Sequence, residues 1–144
     1  MPDNDLLDAK IESLSRCIDR ITTHTPATAE PLRTDYDAQD IIAVNLQRAI
    51  QILVDLAGHL IAENGWETPS TMGGSFTVLA EHTVLDPDLA ERLTRAVGFR
   101  NISVHEYQSI DWDRVYTIVT THLDDFRTAA RALTAAWPPP QKSE

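Results

Sequence analysis

The sequence predicts an all-α fold, a four- to five-helix up-down bundle, from three observations. Apolar residues recur at spacings of three and four, which places them on one face of a helix. No stretch alternates polar and apolar residues over the length of a strand. Proline and glycine are concentrated between the periodic segments, where they indicate loops. The length of 144 residues suits one domain with a single core, which we expect over residues 1–137, followed by a mobile tail at 138–144.

The first predicted helix extends from about Asp5 to Thr23. Its apolar stripe includes Leu7, Leu14 and Ile21, and the prolines that follow at Pro26 and beyond indicate a loop.

The second predicted helix, from about Asp37 to Asn64, is the longest. Thr34, three residues before Asp37, resembles a capping pattern, while Asp35 and Asp40 suit the positive N-terminus of a helix. Gly65, directly after Asn64, predicts the end of this helix.

The second half of the sequence predicts a short helix around Phe76 and two longer ones. The first of these begins at Asp86-Pro87-Asp88, because a capping aspartate followed by proline is a strong helix start. Gly98 is expected to end or bend it. Asp111 is expected to cap a single last helix that continues to the prolines at 138–140.

Composition limits the functions that the chain can have. The net charge of −10 excludes broad binding of nucleic acid by phosphate neutralisation, so any RNA site has to be local or assisted by a partner. The single cysteine, Cys17, excludes an internal disulfide and a zinc-cysteine cluster. With no apolar signal segment at the start, the sequence predicts a cytoplasmic protein.

The segment from Gly98 to Tyr107 concentrates polar and ionisable side chains at a predicted helix break. His105 can give or take a proton near neutral pH, and Arg100 presents a planar cation to phosphate oxygens. Asn101 lies one helical turn from His105 and can fix the imidazole tautomer or hold a phosphate. These residue types suit metal-independent cleavage of RNA, in which the ribose 2′-hydroxyl attacks its own phosphate and leaves a cyclic phosphate end.

Such a reaction needs both a base and an acid, whereas the segment supplies one histidine. A two-fold dimer that brings together two copies of Arg100 and His105 would supply both. By spacing alone, an Arg, an Asn and a His near a helix end more often cap the helix or pair with acids.

The complete segment, Arg100-Asn101-Ile102-Ser103-Val104-His105-Glu106-Tyr107, resembles the HepT family of HEPN-domain toxins, whose core pattern is Arg-x-x-x-x-His-x-Tyr. The resemblance extends over about residues 37–127. Residues 45–57 look like the long second helix of that family, and residues 110–116 look like the start of its last helix.

The resemblance implies a homodimer that acts as the toxin of a type II toxin–antitoxin system. Arg100 and His105 would face each other across the dimer interface and cleave RNA without a metal or other cofactor. An MntA-type nucleotidyltransferase antitoxin would transfer AMP onto Tyr107, which would block the site.

Two alternatives remain open at this point. Arg92 and Arg95, just before the motif, either line an RNA channel or belong to a solvated helix face. The chain itself is either this ribonuclease or a non-catalytic helical binding partner of a nucleotidyltransferase. His122, on the apolar stripe of the last helix, is expected to be a hydrogen-bonded core residue.

Overall fold

The computed structural model describes residues 4–138, and within them it contains six α-helices and no strand. The helices are α1 (Asn4–His24), α2 (Tyr36–Asn64), α3 (Gly74–Glu81), α4 (Pro87–His105), α5 (Trp112–Thr121) and α6 (Leu123–Ala136). Short 3-10 turns occupy Glu30–Arg33 and Tyr107–Ser109. The predicted all-α fold is confirmed. Of the predicted tail, residues 139–144 lie outside the described part of the chain.

Helix α2 forms the centre of the bundle and packs against α1, α3, α4 and α6. By length and composition it could span a membrane. Its apolar residues instead form the middle of the core, where Leu46, Leu53 and Leu60 are fully buried.

The ends of α2 and the start of α4 follow local rules. Asp35, rather than the predicted Thr34, caps α2, and its carboxylate accepts a hydrogen bond from the backbone N–H of Ala38 at 3.1 Å. Gly65 ends α2 with a φ of 65°, a conformation that glycine adopts without steric cost. Asp86 caps α4 as predicted, with Pro87 in its first turn.

Gly98 was predicted to end or bend the helix. The predicted end is wrong, since α4 continues to His105. Val97 and Phe99 on either side of the glycine are buried and hold this part of α4 against the core. Their burial outweighs the cost of one glycine in a helix, which is about 1 kcal/mol relative to alanine.

The single last helix that was predicted is two helices, α5 and α6, which separate at His122. Residues 117–121 are all β-branched, and the hydroxyl of Thr120 bonds back to the carbonyl of Tyr116 at 2.7 Å. Both features weaken a helix. Asp124 and Asp125 then favour a new helix N-terminus. This extra break accounts for six helices instead of four or five.

The same break overturns the prediction for His122. Its side chain is partly exposed, and its Nδ1 lies 3.3 Å from the carboxylate of Asp125. It is therefore a partly exposed residue and not a core residue.

Candidate active site

The predicted motif occupies the C-terminal end of α4 and the turn that follows. Arg100, Asn101 and His105 are all helical, and His105 is the last residue of α4. At Glu106 the backbone leaves the helix, with φ −139° and ψ 55°, and Tyr107 begins the next 3-10 turn. The motif thus lies at the end of a helix, although Gly98 does not create that end.

Arg100 and Asn101 contact each other on this helix end. The guanidinium Nη1 of Arg100 donates a hydrogen bond to Oδ1 of Asn101 at 3.1 Å. Asn101 was predicted to fix the imidazole tautomer of His105 or to hold a phosphate. In the single chain its side chain makes no hydrogen bond with that imidazole. Its amide instead orients the arginine and leaves the guanidinium without a carboxylate partner in residues 4–138.

His105 is exposed and makes no hydrogen bond or ion pair with any described residue. Five residues separate it from Arg100, which corresponds to about 140° around the helix and about 7.5 Å along it. The two side chains therefore point in different directions from one continuous helix. No hydrogen bond joins them within the described chain.

Tyr107 is held by α2 rather than by the motif helix. Its hydroxyl donates a hydrogen bond to Oδ1 of Asp40 at 2.5 Å, and its ring contacts Trp112 edge-on at 5.9 Å between centroids. Burial, followed by the hydrogen bond and the charge of Asp40, raises the pKa of Tyr107 to about 12. The phenol is thus firmly protonated at neutral pH, although its side chain is still partly exposed.

A second contact joins α2 to the motif segment, this time within α4 itself. The side-chain amide of Gln47 on α2 donates to the hydroxyl of Ser103 on α4, and Ser103 is buried. Together with the contact between Asp40 and Tyr107, it fixes the end of α4 beside the first half of α2.

Exposed apolar side chains surround this end of the molecule. Among the described residues, the large hydrophobic side chains that are exposed are Tyr36, Val44, Ile102, Val104 and Tyr107. Val44 lies one turn from both Asp40 and Gln47, so it shares their side of α2. Exposed apolar groups collected in one region indicate an interaction surface. We call these five residues the motif-end apolar patch.

A groove of about 210 Å³ lies between α4, α5 and α6, on the N-terminal side of the motif. Its polar lining includes three arginines, Arg92, Arg95 and Arg114, and its floor is apolar. Arg92 makes a two-pronged contact with Asp125 at 2.9 and 3.1 Å, and Arg95 contacts Glu91 at 2.5 Å. Arg114 has no carboxylate partner in the described part of the chain. The groove is therefore basic in an otherwise acidic protein.

Two residues of this region were not predicted from the sequence. Asp40 was interpreted only as an acid near a helix start, and Arg114 was not singled out. Asp40 meets Tyr107 across 67 residues, and nothing in a single sequence signals such a contact. In residues 4–138, no group of three histidine, cysteine, aspartate or glutamate side chains is placed to hold a metal ion.

Comparison with known proteins extends these observations. The chain is 35% identical over 123 residues to the mRNA nuclease HepT of Shewanella oneidensis, a match that covers 85% of this chain and 92% of that protein. It is 23% identical over 128 residues to the tRNA nuclease HepT of Aphanizomenon flos-aquae, covering 89% and 87% of the two chains.

Solved structures of HEPN toxins share the fold of this chain. A tri-AMPylated HEPN toxin of Shewanella oneidensis, solved in complex with an MNT antitoxin, superposes with a TM-score of 0.85 at 32% identity. The superposition covers 94% of this chain and 99% of the toxin. The family model described as Ribonuclease HepT-like matches residues 14–133. The protein therefore belongs to the HepT-like ribonuclease family.

Proposed function

We propose that this chain is the toxin of a type II toxin–antitoxin system and a metal-independent endoribonuclease of the cytoplasm, with Arg100 and His105 as catalytic residues. The observation that carries the proposal is the end of α4, where His105 is exposed and where Arg100 has no carboxylate partner among residues 4–138. A relative of 35% identity over most of the chain is an mRNA nuclease, which supports the same activity here.

In the proposed reaction, one His105 takes the proton of a ribose 2′-hydroxyl, whose oxygen then attacks the adjacent phosphorus. The bond from phosphorus to the 5′-oxygen breaks, and a second His105 protonates the leaving oxygen. Arg100 stabilises the charge that develops on the phosphate oxygens, and Asn101 orients its guanidinium. The products are a 2′,3′-cyclic phosphate and a 5′-hydroxyl end.

The second histidine would come from a second copy of the chain. Because Arg100 and His105 point in different directions on α4, a complete site needs a surface that pairs two such helix ends. The motif-end apolar patch is placed to do this, since Ile102 and Val104 lie between the two catalytic residues in the sequence. We therefore propose a homodimer centred on Ile102 and Val104 of this patch, with Tyr107 at its edge and open to modification.

The toxin would be neutralised by transfer of AMP from a partner antitoxin. The Shewanella oneidensis toxin is AMPylated and in complex with an MNT antitoxin. Tyr107 is the proposed acceptor here, because it lies two residues from His105 and is partly exposed. One or more AMP units on Tyr107 would place phosphate and nucleoside at the site and exclude RNA.

RNA would approach along the basic groove. Arg95 lies five residues before Arg100 on α4, so the groove and the motif are about 7.5 Å apart along the helix axis. Arg92 and Arg95 line this groove, which favours the RNA channel over the solvated helix face, and Arg114 adds a guanidinium without a carboxylate partner among the described residues. The positive charge concentrated there reconciles RNA binding with the net charge of −10.

The test is cleavage of total cellular RNA by the purified chain in EDTA. Wild type is compared with Arg100→Ala and His105→Ala, and with Arg131→Ala and His59→Ala as matched controls outside the motif. We expect wild type and both controls to cut RNA and leave cyclic phosphate ends, and both motif variants to be inactive. Absence of cutting by the unmodified wild-type dimer would reject the ribonuclease in favour of a non-catalytic partner of a nucleotidyltransferase.

A further inference from the structure

We propose that Asp40 is the catalytic base for modification of Tyr107. Its carboxylate would take the phenolic proton while the phenolic oxygen attacks the α-phosphorus of ATP. This inference rests on the proposed function, since it deepens the modification that neutralises the toxin. It assigns to the modified protein a catalytic group that would otherwise be sought in the modifying enzyme.

The carboxylate of Asp40 lies where a base for the phenol of Tyr107 has to be. The phenolic oxygen of Tyr107 and Oδ1 of Asp40 are 2.5 Å apart, within the distance over which a positioned base acts. Asp40 is exposed and makes no ion pair within residues 4–138, so its carboxylate is not committed elsewhere. Glu106, next to Tyr107 in the chain, makes no hydrogen bond with the phenol.

The position of both residues is fixed from two sides. Asp40 lies on the central helix α2, one turn before Val44, while Tyr107 is wedged against Trp112 at the start of α5. The contact between Gln47 and Ser103 keeps α2 and the end of α4 together. The pair is therefore held by rigid elements on both sides, as a base and its substrate group require.

A base is needed because the phenolate does not form readily on its own. Burial, followed by the hydrogen bond and the negative charge of Asp40, raises the pKa of Tyr107 to about 12. At pH 7 only about one tyrosine in 10⁵ would be ionised. Reaction through the free phenolate would be correspondingly slow, whereas transfer of the proton during attack avoids that intermediate.

The transfer of AMP to Tyr107 moves one proton to Asp40 and releases pyrophosphate. The bond between the phenolic oxygen and its hydrogen breaks, and the proton passes to Asp40. A bond forms between that oxygen and the α-phosphorus of ATP, while the bond from this phosphorus to the bridging oxygen breaks and pyrophosphate leaves. Asp40 then returns its proton to water, for which its exposure is suited.

Modification also changes what holds Tyr107. The product has no phenolic hydrogen and carries a phosphodiester charge, so attraction to Asp40 is replaced by repulsion. The adenylate is thus directed away from α2 and toward the motif end of the molecule, where Arg100 lies without a carboxylate partner among the described residues.

The experiment measures single-turnover modification of the full-length chain by an MntA-type nucleotidyltransferase with ATP and Mg²⁺, followed by intact mass. Tyr107→Phe locates the modified residue. Asp40→Asn keeps a hydrogen-bonding group of the same shape but removes the base, and Asp40→Glu keeps the base. Asp37→Asn, about one turn earlier on α2, is the control for loss of one negative charge from this part of the helix. Thermal unfolding verifies that each variant is folded.

We expect Asp40→Asn to slow modification about 100-fold, the usual contribution of a general base, with partial recovery in Asp40→Glu and no change in Asp37→Asn. The pH profile separates a base from a structural support. In Asp40→Asn the remaining rate should rise about tenfold per pH unit, because only the phenolate reacts. A structural role would lower the rate by the same factor at every pH.

Two results overturn the inference, and they differ from each other. If wild type is modified on Tyr107 and Asp40→Asn is equally fast or faster, Asp40 is not the base and only this inference is rejected. If wild type is not modified on Tyr107 at all, the proposed route of neutralisation is rejected together with it.

Discussion

Gln47 on α2 and Ser103 on α4 are joined by a hydrogen bond in which the glutamine amide donates to the serine hydroxyl. Ser103 is the buried member of the segment that links Arg100 to His105, and its neighbours Ile102 and Val104 are exposed. The catalytic end of α4 is therefore fixed to the core helix through a polar contact, while its apolar side chains remain available to a partner.

The first prediction concerns this contact. Ser103→Ala should lower the free energy of unfolding by about 1 kcal/mol, because it removes one side-chain hydrogen bond. Gln47→Ala should have a similar effect, and the double variant should cost less than the sum of both, since the two changes remove the same bond. Urea unfolding of the four proteins measures this coupling. Strictly additive effects would mean that the two side chains do not support each other.

The sequence predicted well the features that depend on neighbouring residues. Asp86 and Asp111 cap α4 and α5 as expected, because a capping aspartate acts on backbone N–H groups two or three residues away. Gly65 ends α2 for a similar local reason. The motif itself is a contiguous segment, so its residues could be named from the sequence, although the helix end was placed at Gly98 and lies at His105.

The predictions that failed depended on tertiary context. Gly98 does not end α4, because burial of Val97 and Phe99 stabilises a helix that local propensity disfavours. His122 was interpreted as part of one apolar stripe, since α5 and α6 continue the same periodicity across their break. The contact of Asp40 with Tyr107 joins residues far apart in the chain, and periodicity carries no information about such pairs.

The second prediction concerns pH. The pKa of Tyr107 is raised to about 12 in the folded chain, above the ordinary value of about 10 in the unfolded chain. The folded state therefore binds this proton more tightly, so the resulting stabilisation is complete below pH 10 and is lost as pH rises toward 12. Asp40→Asn should lower the pKa of Tyr107 and flatten this loss.

The measurement is the tyrosinate absorbance of each protein from pH 8 to pH 12, with the matching Tyr107→Phe protein subtracted to isolate one residue, alongside urea unfolding at each pH. Asp37→Asn serves as the control, because it removes an acid from the same helix without touching the phenol. An unchanged titration of Tyr107 in Asp40→Asn would show that burial alone raises its pKa.

The third prediction concerns the basic groove. Arg114→Ala should weaken RNA binding across sequences and reduce the slope of log affinity against log salt by about 1, because one phosphate contact is lost. Asp125→Asn should strengthen binding, since it releases Arg92 from its two-pronged contact. Fluorescence anisotropy at several salt concentrations, in the His105→Ala background to prevent cleavage, measures both effects.

Arg131→Ala is the control for the groove, as it removes an exposed arginine of α6 whose guanidinium contacts only Thr128 among the described residues. If Arg131→Ala weakened binding as much as Arg114→Ala, the effect would reflect net charge and not the groove. No gain in Asp125→Asn would mean that Arg92 serves packing between α4 and α6 and does not contact RNA.

The fourth prediction concerns the dimer. Val104→Glu should place a charge in the motif-end apolar patch and dissociate the dimer, with loss of cleavage although His105 is intact. Thr128→Glu, at another exposed position, on α6, should leave both properties unchanged. Sedimentation velocity gives the oligomeric state, and the RNA assay gives the activity. A Val104→Glu monomer that still cuts RNA would show that one chain contains the whole site.

The fifth prediction tests whether the site is shared between subunits. Wild type mixed with an excess of His105→Ala, under conditions that allow subunit exchange, should lose nearly all cleavage. A mixed dimer contains a single His105, whereas the proposed reaction needs one histidine from each chain. Because Arg100 and His105 are about 140° apart on one helix, a site within one chain is not expected. An excess of His59→Ala is the matched control and should leave cleavage unchanged. If mixed dimers that mass spectrometry detects keep half of the wild-type activity, each subunit contains its own site and the shared-site mechanism is wrong.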